Sequence, residues 1–432
     1  MPKLVIRNGR VMDPASGLDA VRDVAIQDGR IVTMGRDIAS TGASEMDASG
    51  LIVAPGFIDM HVHLREPGFE YAETIESGSR AAAAGGFTSI CCMPNTSPVN
   101  DSATVTSYII ERAERHAIVN VFPIGAITKN SAGEELAAIG LMKAAGIVAI
   151  SDDGRPVMNA RVMRRAMETA RSFNLPVIDH CEDLHLSAGG DMNEGLESVR
   201  LGLRGIPAAS EDVMVARDIL LAELHSVEMV AFAKARGLAV TCEATPHHFA
   251  LADNAMPPYD SNYKMKPPLR SAGDLSAVAE GIVTGTVDAI ATDHAPHAGS
   301  EKMQEFEKCP FGILGLETAL GVTLDRLVHS GKISLMRMIQ LFTSGPDRVL
   351  HLERGRLAIG APADITIFDT DHAWTYDVNR SASKSRNSPF HGQSFRGGPV
   401  ATIVAGKVVW TADGLPLASP SPASLDLFSA SQ

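Results

Sequence analysis

The chain has 432 residues, of which 45% are hydrophobic and 21% are charged, so it can bury a large core. Its 38 basic and 51 acidic residues give a formal net charge of -13, which repels phosphate backbones and excludes nucleic acid as an expected partner. No apolar run is long enough to span a bilayer, and the start lacks the pattern of a secretory leader. We therefore expect a cytoplasmic protein that does not bind membranes.

The first fifty residues alternate short β-type runs with turns, at residues 4–6, 24–26 and 31–34. Asp28-Gly29 lies between the last two runs, and this dipeptide between alternating apolar residues is a strong hairpin signal. The sequence thus predicts antiparallel strands in this segment.

The far end of the chain has the same β-rich texture, with strands predicted at residues 363–368 and 400–409 and a turn at Ala405-Gly406-Lys407. Two β-rich ends around a different middle predict that residues 1–53 and 346–432 meet in one small β-sandwich. The Ser/Pro-rich tail after Leu417 is expected to be poorly ordered or loosely packed.

The middle, residues 54–345, alternates apolar β-type runs with helix-type runs, which is the pattern of parallel βαβ units. Its length and the flanking sandwich fit an α/β protein built on a (β/α)8 TIM-type barrel. An open doubly wound sheet competes, but no Gly-rich phosphate fingerprint follows the first strand of this region. Seven apolar runs end at positions 61–63, 92–95, 124–127, 151–153, 179–180, 243–245 and 292–294, and polar residues stand at or directly after each of these ends.

One stretch breaks the alternation. Residues 210–224 have a helical pattern with Ser210 as the N-cap, and residues 226–236 predict a second helix that ends at Gly237. Only His225 separates the two helices, although a strand belongs between two barrel helices. The barrel is therefore expected to have strand six missing or altered.

His61-Val62-His63 ends the first barrel-type strand, where residues two apart point the same way and can face one metal ion. The H-x-H pattern also arises by chance. Asp153, His180 and Asp293 stand at the ends of other candidate strands. Singly they could be a helix-capping Asp, a satisfied core histidine and a turn residue. Together they predict a metal site, which must use His and carboxylates because the five cysteines have no C-x-x-C spacing and predict free thiols.

Several segments of this sequence resemble the signature segments of class I dihydroorotases, members of the amidohydrolase superfamily. The resemblance extends almost from end to end, and the long His61–Gly68 segment is its most specific part. The matching segments are HVHLREPG at 61–68, MPNT at 93–96, DDG at 152–154, DHCE at 179–182, DHAPH at 293–297, and GRL at 355–357 through ADI at 363–365.

The resemblance implies two zinc ions. His61, His63 and Asp293 would hold one zinc, and Asp153 would bridge to a second zinc held by His180. Many members of the superfamily bridge with a carboxylated lysine, but residues 146–151 contain no lysine. An aspartate bridge therefore fits better, and this counts against allantoinase and hydantoinase, the nearest alternative activities.

The implied reaction is the reversible hydrolysis of dihydroorotate to N-carbamoyl-aspartate in pyrimidine biosynthesis, with Asp293 as base and then acid. Arg65, two residues beyond His63, would bind the substrate carboxylate, although a rim salt bridge with Glu66 or Asp59 is an alternative. The resemblance implies further substrate contacts at His63, Asn95, His297, Phe311 and Gly312. The stretch at residues 298–308 looks like a mobile loop over the site.

The sequence departs from the family pattern at two places. The family supplies a second-zinc histidine after strand six, and here His225 is the only histidine nearby. Either residues 219–224 form that strand and bring His225 to the rim, or the strand is absent; the helical pattern favours absence. The second departure is Lys266, which stands where the family often has a substrate-binding Asn and which could contact the substrate carboxylate or point to solvent.

Two functional hypotheses follow. The first is an active dihydroorotase that acts on a small molecule. The second is a weakly active or inactive scaffold that supports a partner such as aspartate transcarbamoylase, and it is motivated by the missing strand. A homodimer is an expectation from the family.

Overall fold

The computed structural model describes residues 3–222, 234–235 and 237–412. The strands are β1 Leu4–Asp13, β2 Leu18–Gln27, β3 Arg30–Gly35, β4 Ser44–Asp47, β5 Ile52–Pro55, β6 Phe57–Val62, β7 Phe87–Cys92, β8 Asn120–Pro123, β9 Met192–Asn193, β10 Gly205–Ile206, β11 Glu243–Ala244, β12 Ala289–Ile290, β13 Ile365–Thr375, β14 Ser394–Val404 and β15 Lys407–Thr411. The α-helices are Ile75–Ala84, Ala103–His116, Ile139–Ala145, Ala160–Ser172, Leu196–Leu201, Ala209–Ala222, Pro246–Ala250, Ala272–Thr284, Gly299–Lys302, Ala319–Thr323, Leu335–Phe342 and Ser344–Leu350. In this described part of the chain, no helix has the length and apolar character needed to cross a membrane.

The two ends of the chain form one sheet, in the order β15-β14-β13-β5-β1-β2-β3, with β4 paired to β1. The ends meet where β13 runs antiparallel to β5. Apolar side chains from both ends share one buried cluster, which includes Ile6, Val53, Ile365 and Ile403. The sheet of both termini agrees with the sequence; its packing as a two-layered sandwich stays a prediction.

The predicted hairpin turn at Asp28-Gly29 is confirmed. The turn connects β2 to the antiparallel β3, and Asp28 and Gly29 have φ values of 48° and 76°. Two consecutive residues in the left-handed region give a turn whose twist matches that of the flanking strands, and Asp and Gly tolerate this conformation best.

Parallel pairings connect the strand segments of the middle region in chain order. β6, β7 and β8 form one parallel sheet, single parallel bridges link Gly125 to Ile150 and Ile150 to Val177, and β11 pairs with β12. A parallel bridge between Val62 and His294 returns from the last segment to the first. Within the described residues, no pairing joins the segment at Val177 to β11.

The helix Ala209–Ala222 occupies the stretch where the sequence left two alternatives. Residues 219–222 are helical, so the alternative that makes them part of a strand is wrong for these residues. The helix begins before Ser210, which is therefore not its N-cap; the Ser210 hydroxyl donates to the carbonyl of Pro207 at 2.8 Å instead. His225, nearly all of the second predicted helix and the C-terminal tail lie outside the described residues.

Both predicted domain boundaries fall inside an element of secondary structure. β5 spans the boundary at residue 53, and the helix Ser344–Leu350 spans the boundary at residue 345. The division into residues 1–53, 54–345 and 346–432 stays a prediction.

Phe57 lies at the junction of the terminal sheet and the parallel strands. Its ring stacks on Phe342 with centroids 5.1 Å apart, and it contacts Phe368 of β13 and Phe87 of β7 at 5.9 and 6.1 Å. Phe57 is fully buried, so it joins strands from both parts of the chain through one apolar cluster.

We expect Phe57→Ala to lower the free energy of unfolding by about 3–5 kcal/mol, because it removes a buried ring and leaves a cavity between elements that cannot collapse together. Urea unfolding followed by circular dichroism measures the change. Leu141→Ala is the matched control, because Leu141 is 67% exposed. An equal, small effect of both substitutions would contradict this account of the junction.

Candidate metal centre

His61 and His63 project from the end of β6 on the same side, because side chains two residues apart in a strand share a face. Their ring centroids are 5.5 Å apart. The fully buried Asp59 fixes this strand end, since one of its oxygens accepts from the backbone N–H groups of His61 and Thr292, each at 3.1 Å. Asp59 thereby ties the two histidines to the segment that carries Asp293.

The carboxylate of Asp153 lies among three imidazoles. Its Oδ1 is 3.4 Å from Nε2 of His61 and 3.5 Å from Nδ1 of His180. Its Oδ2 is 3.5 Å from Nε2 of His63. Asp153 is buried, and it is positioned between the first strand end and the segment of His180, as a bridging ligand would be.

Asp293 lies beside the same two histidines. Its Oδ1 lies 3.1 Å from Nε2 of His63 and 3.5 Å from Nε2 of His61. The backbone of Asp293 has a φ of 47°, in the left-handed region that costs energy for most side chains and that often occurs at functional sites.

Each of the three imidazoles is held at its other ring nitrogen by a side-chain oxygen. Nδ1 of His61 lies 2.7 Å from Oε1 of Glu243, and Nδ1 of His63 lies 2.9 Å from the amide oxygen of Asn95. In His180 the held nitrogen is Nε2 instead of Nδ1, and it lies 3.0 Å from Oε2 of Glu182. The free nitrogens therefore all face Asp153 or Asp293.

The charges of the site reinforce one another. Burial opposes ionisation, yet the carboxylates of Asp153 and Glu243 raise the pKa of His61 well above its usual value. Burial also opposes ionised Asp153, but the charge of His61 and the hydrogen bond from His180 hold its pKa well below the usual value. Burial lowers the pKa of His180, but Asp153 and Glu182 outweigh this effect and raise that pKa to about 10.

A metal ion fits these residues. One ligand atom each from His61, His63 and Asp293 lie within 4.8 Å of one another. Nε2 of His61 is buried and has no hydrogen-bond partner, which is costly for a polar atom unless a ligand occupies its lone pair. Imidazole nitrogens and carboxylate oxygens form the donor set of catalytic zinc sites.

The predicted substrate residues lie beside this cluster. Nε of Arg65 donates to the carbonyl of Pro296 at 3.1 Å, and its Nη2 lies 3.3 Å from Nε2 of His297. Nε2 of His297 is closer to the carbonyl of Phe311, at 2.8 Å. Glu66, the alternative ion-pair partner of Arg65, pairs with Arg112 at 2.7 Å.

Gly312 is packed where a larger residue does not fit. Its φ is 130°, and an added Cβ would lie 2.7 Å from Cβ of Ala295 and 3.0 Å from Nε2 of His297. Lys266, which was predicted to meet the substrate or solvent, donates to Oε1 of Glu182 at 2.7 Å. Its Nζ also lies 4.8 Å from the ring centroid of Phe311.

The structure therefore brings together every predicted site residue that it describes, and His225 lies outside the described residues. Sequence reasoning gave no role to Glu243 and Glu182. Glu243 stands at a candidate strand end, and Glu182 follows the candidate strand end at Asp179-His180, which is the signal that could have identified them. The partner of Glu243 could not be deduced, because Glu243 is 182 positions from His61.

The segment predicted as a mobile loop is attached to the site by a buried lysine. Nζ of Lys302 donates to the carbonyls of Pro310 and Gly312 at 2.9 and 3.1 Å. Burial lowers the pKa of Lys302 to about 8. Lys302 thus holds the backbone on both sides of Phe311.

Comparison with known proteins identifies likenesses along nearly the whole chain. A family model described as Dihydro-orotase-like matches residues 50–248, and a model described as Amidohydrolase family matches residues 230–410. The chain is 69% identical over 421 residues to the dihydroorotase of Solibacter usitatus (strain Ellin6076), covering 94% of this chain and 98% of that protein. It is 54% identical over 420 residues to the dihydroorotase of Pelotomaculum thermopropionicum, with 94% and 98% covered.

Among solved structures, the L-hydantoinase (dihydropyrimidinase) from Arthrobacter aurescens is similar, with a TM-score of 0.85 and 25% identity over 95% of this chain and 96% of that one. A D-hydantoinase structure gives a TM-score of 0.82 at 22% identity, with 95% of each chain covered. This second likeness concerns the fold alone.

Lys302→Met is expected to change how stability depends on pH. The ordinary pKa of lysine is 10.5 and that of folded Lys302 is about 8, so between these values the unfolded wild type holds more protons than the folded wild type. The wild type should therefore gain stability relative to Lys302→Met as the pH rises from about 8 to 10.5. Urea unfolding of both proteins across this range measures the difference, and a difference that does not change with pH would contradict the burial of the Lys302 charge.

Proposed function

This chain belongs to the dihydroorotase family, and from that premise we propose how its residues perform the reversible hydrolysis of dihydroorotate to N-carbamoyl-aspartate. The chain is a cyclic amidohydrolase with the mixed α/β amidohydrolase fold. One observation carries the proposal: three imidazoles, each held at one nitrogen, direct the other nitrogen at Asp153 or Asp293.

Two zinc ions would be held by this cluster. His61, His63 and Asp293 would hold one zinc, and Asp153 would bridge to the second zinc at His180, with His225 as a further ligand. The contacts of Asp153 with all three imidazoles support the bridge. When bound, zinc lowers the pKa of a ligated water by about eight units and polarises the carbonyl under attack.

Asp293 would carry the proton of the reaction. Its carboxylate accepts the proton of the attacking water as the new carbon–oxygen bond forms at the ring carbonyl. The same group then returns the proton to the ring nitrogen as the carbon–nitrogen bond breaks. Burial opposes ionisation of Asp293, but its contacts with the histidines, above all the hydrogen bond with His63, lower its pKa, so the carboxylate is ionised and able to accept.

The substrate carboxylate would lie against Arg65. The guanidinium carries five donors in a planar fork, of which Nε is directed at Pro296 and Nη2 at His297. Asn95 and His297 would add hydrogen bonds, and the backbone at Phe311 and Gly312 would face the ring. Lys266, held by Glu182, would reach the same carboxylate only if that ion pair opened.

The finer fold proposal is a (β/α)8 barrel whose sixth strand is missing or altered, joined to a β-sandwich of both termini. The helix Ala209–Ala222 supports it, since it fills the stretch where that strand is expected. We place the enzyme in the cytoplasm, because all five cysteines are free thiols. Association as a homodimer is an expectation from the family.

A weakly active scaffold for aspartate transcarbamoylase is the second candidate, and one observation favours it. The stretch where the sixth strand and its second-zinc histidine are expected is helical at Ala209–Ala222, so within the described residues the proposal assigns the second zinc only Asp153 and His180. Zinc analysis combined with a dihydroorotate hydrolysis assay separates the candidates. Two zincs and turnover support the enzyme, whereas fewer than one zinc and no turnover support the scaffold. Turnover of hydantoins without dihydroorotate would overturn the proposed substrate.

Asp293→Asn should retain zinc at His61 and His63 but lose turnover by at least about a thousandfold, because the amide cannot take the proton of the attacking water. Zinc content and kcat are measured on the same preparation. Glu111→Gln is the control and should leave kcat unchanged, since Glu111 is an exposed carboxylate on the helix Ala103–His116. Near-normal kcat in Asp293→Asn would contradict the proton-transfer role.

Arg65→Met should raise KM for dihydroorotate roughly 10- to 100-fold, because a charge-assisted fork to the substrate carboxylate is lost. Arg65→Lys keeps the charge without the fork and should give an intermediate KM. Steady-state kinetics on zinc-loaded protein measure both values, and an unchanged KM in Arg65→Met would place the substrate carboxylate elsewhere.

A further inference from the structure

Glu243 supports His61 from the side of the ring that faces away from the other metal-centre residues. Its Oε1 lies 2.7 Å from Nδ1 of His61, and its own position is fixed by the pairing of β11 with β12. A neutral imidazole has one N–H and one lone pair. With the N–H donated to Glu243, the lone pair is on Nε2, the buried atom 3.4 Å from Asp153 and 3.5 Å from Asp293.

Glu182 supports His180 in the reverse sense. Its Oε2 lies 3.0 Å from Nε2 of His180, so the lone pair is on Nδ1, which is 3.5 Å from Asp153. The second oxygen of Glu182 accepts from Lys266 at 2.7 Å. His61 and His180 therefore present opposite ring nitrogens to the same carboxylate, and in each case a glutamate determines which nitrogen is presented.

Glu182 is not placed to act as a metal ligand itself. Both of its oxygens are engaged, one by the imidazole of His180 and one by the ammonium group of Lys266. Lys266 also fixes the carboxylate of Glu182 in place through an ion pair at 2.7 Å. The carboxylate is thus a fixed acceptor beside the site.

We propose that Glu243 and Glu182 are positioning residues that select the metal-binding tautomers of His61 and His180. The inference rests on the proposed zinc site, and neither glutamate needs to touch the substrate. Hydrogen bonds from metal-ligating histidines to carboxylates fix ring orientation and raise ligand basicity, and their loss typically weakens metal binding by 10- to 100-fold.

The test measures zinc affinity of the metal-free full chain by competition with a chromophoric chelator. Glu243→Ala and Glu182→Ala should each bind zinc about 10- to 100-fold more weakly than the wild type. Glu243→Gln and Glu182→Gln keep an oxygen acceptor and should recover part of that loss. Glu111→Gln is the matched control, because Glu111 is an exposed carboxylate on the helix Ala103–His116, and it should leave zinc affinity unchanged.

A merely structural role would give a different result. If the glutamates only stabilise the fold, the variants would lower the unfolding midpoint while zinc affinity stays at the wild-type value, and this would overturn the inference. The visible spectrum of the cobalt-loaded chain gives a second readout. This spectrum should change in the Ala variants and stay the same as in the wild type in the Glu111→Gln control. A wild-type chain that bound no zinc would instead overturn the proposed function, so the two failures are distinguishable.

Discussion

The buried carboxylate of Asp153 sets the requirement that the rest of the site meets. An ionised carboxylate away from water is costly unless it is paired and hydrogen-bonded, and here three imidazoles from two parts of the chain lie around it. Parallel strands that end at one rim are an efficient way to assemble such a cluster. Each imidazole in turn needs an acceptor for its second nitrogen, which places Glu243, Asn95 and Glu182 in an outer layer.

The scaffold has to hold this cluster against its own strain. Asp293 has a left-handed backbone conformation, and such a residue persists only where its surroundings determine its position. Asp59 provides one constraint by joining the backbone of His61 to that of Thr292. The aromatic cluster around Phe57 provides another, because it packs the beginning of β6 against the terminal sheet and the helix Leu335–Phe342.

Local patterns predicted much of the fold and the site because they depend on nearby residues. The spacing of His61 and His63 determines that both rings share a face, and Asp28-Gly29 determines a tight turn. Contacts that depend on the path of the folded backbone were not predictable in this way. Lys302 lies in a polar stretch typical of a loop, yet its ammonium group reaches the carbonyls of Pro310 and Gly312. Ser210 has the residue type of an N-cap, but Pro207 takes its hydroxyl and the helix begins earlier.

Anomalous diffraction at the zinc absorption edge tests whether these histidines and carboxylates form a two-zinc centre. We expect one peak among His61, His63 and Asp293 and a second peak between Asp153 and His180. The protein should be crystallised after it has been stripped of metal and reloaded with zinc alone. A zinc-reloaded crystal with no peak beside these residues, or with its zinc elsewhere in the chain, would contradict the account.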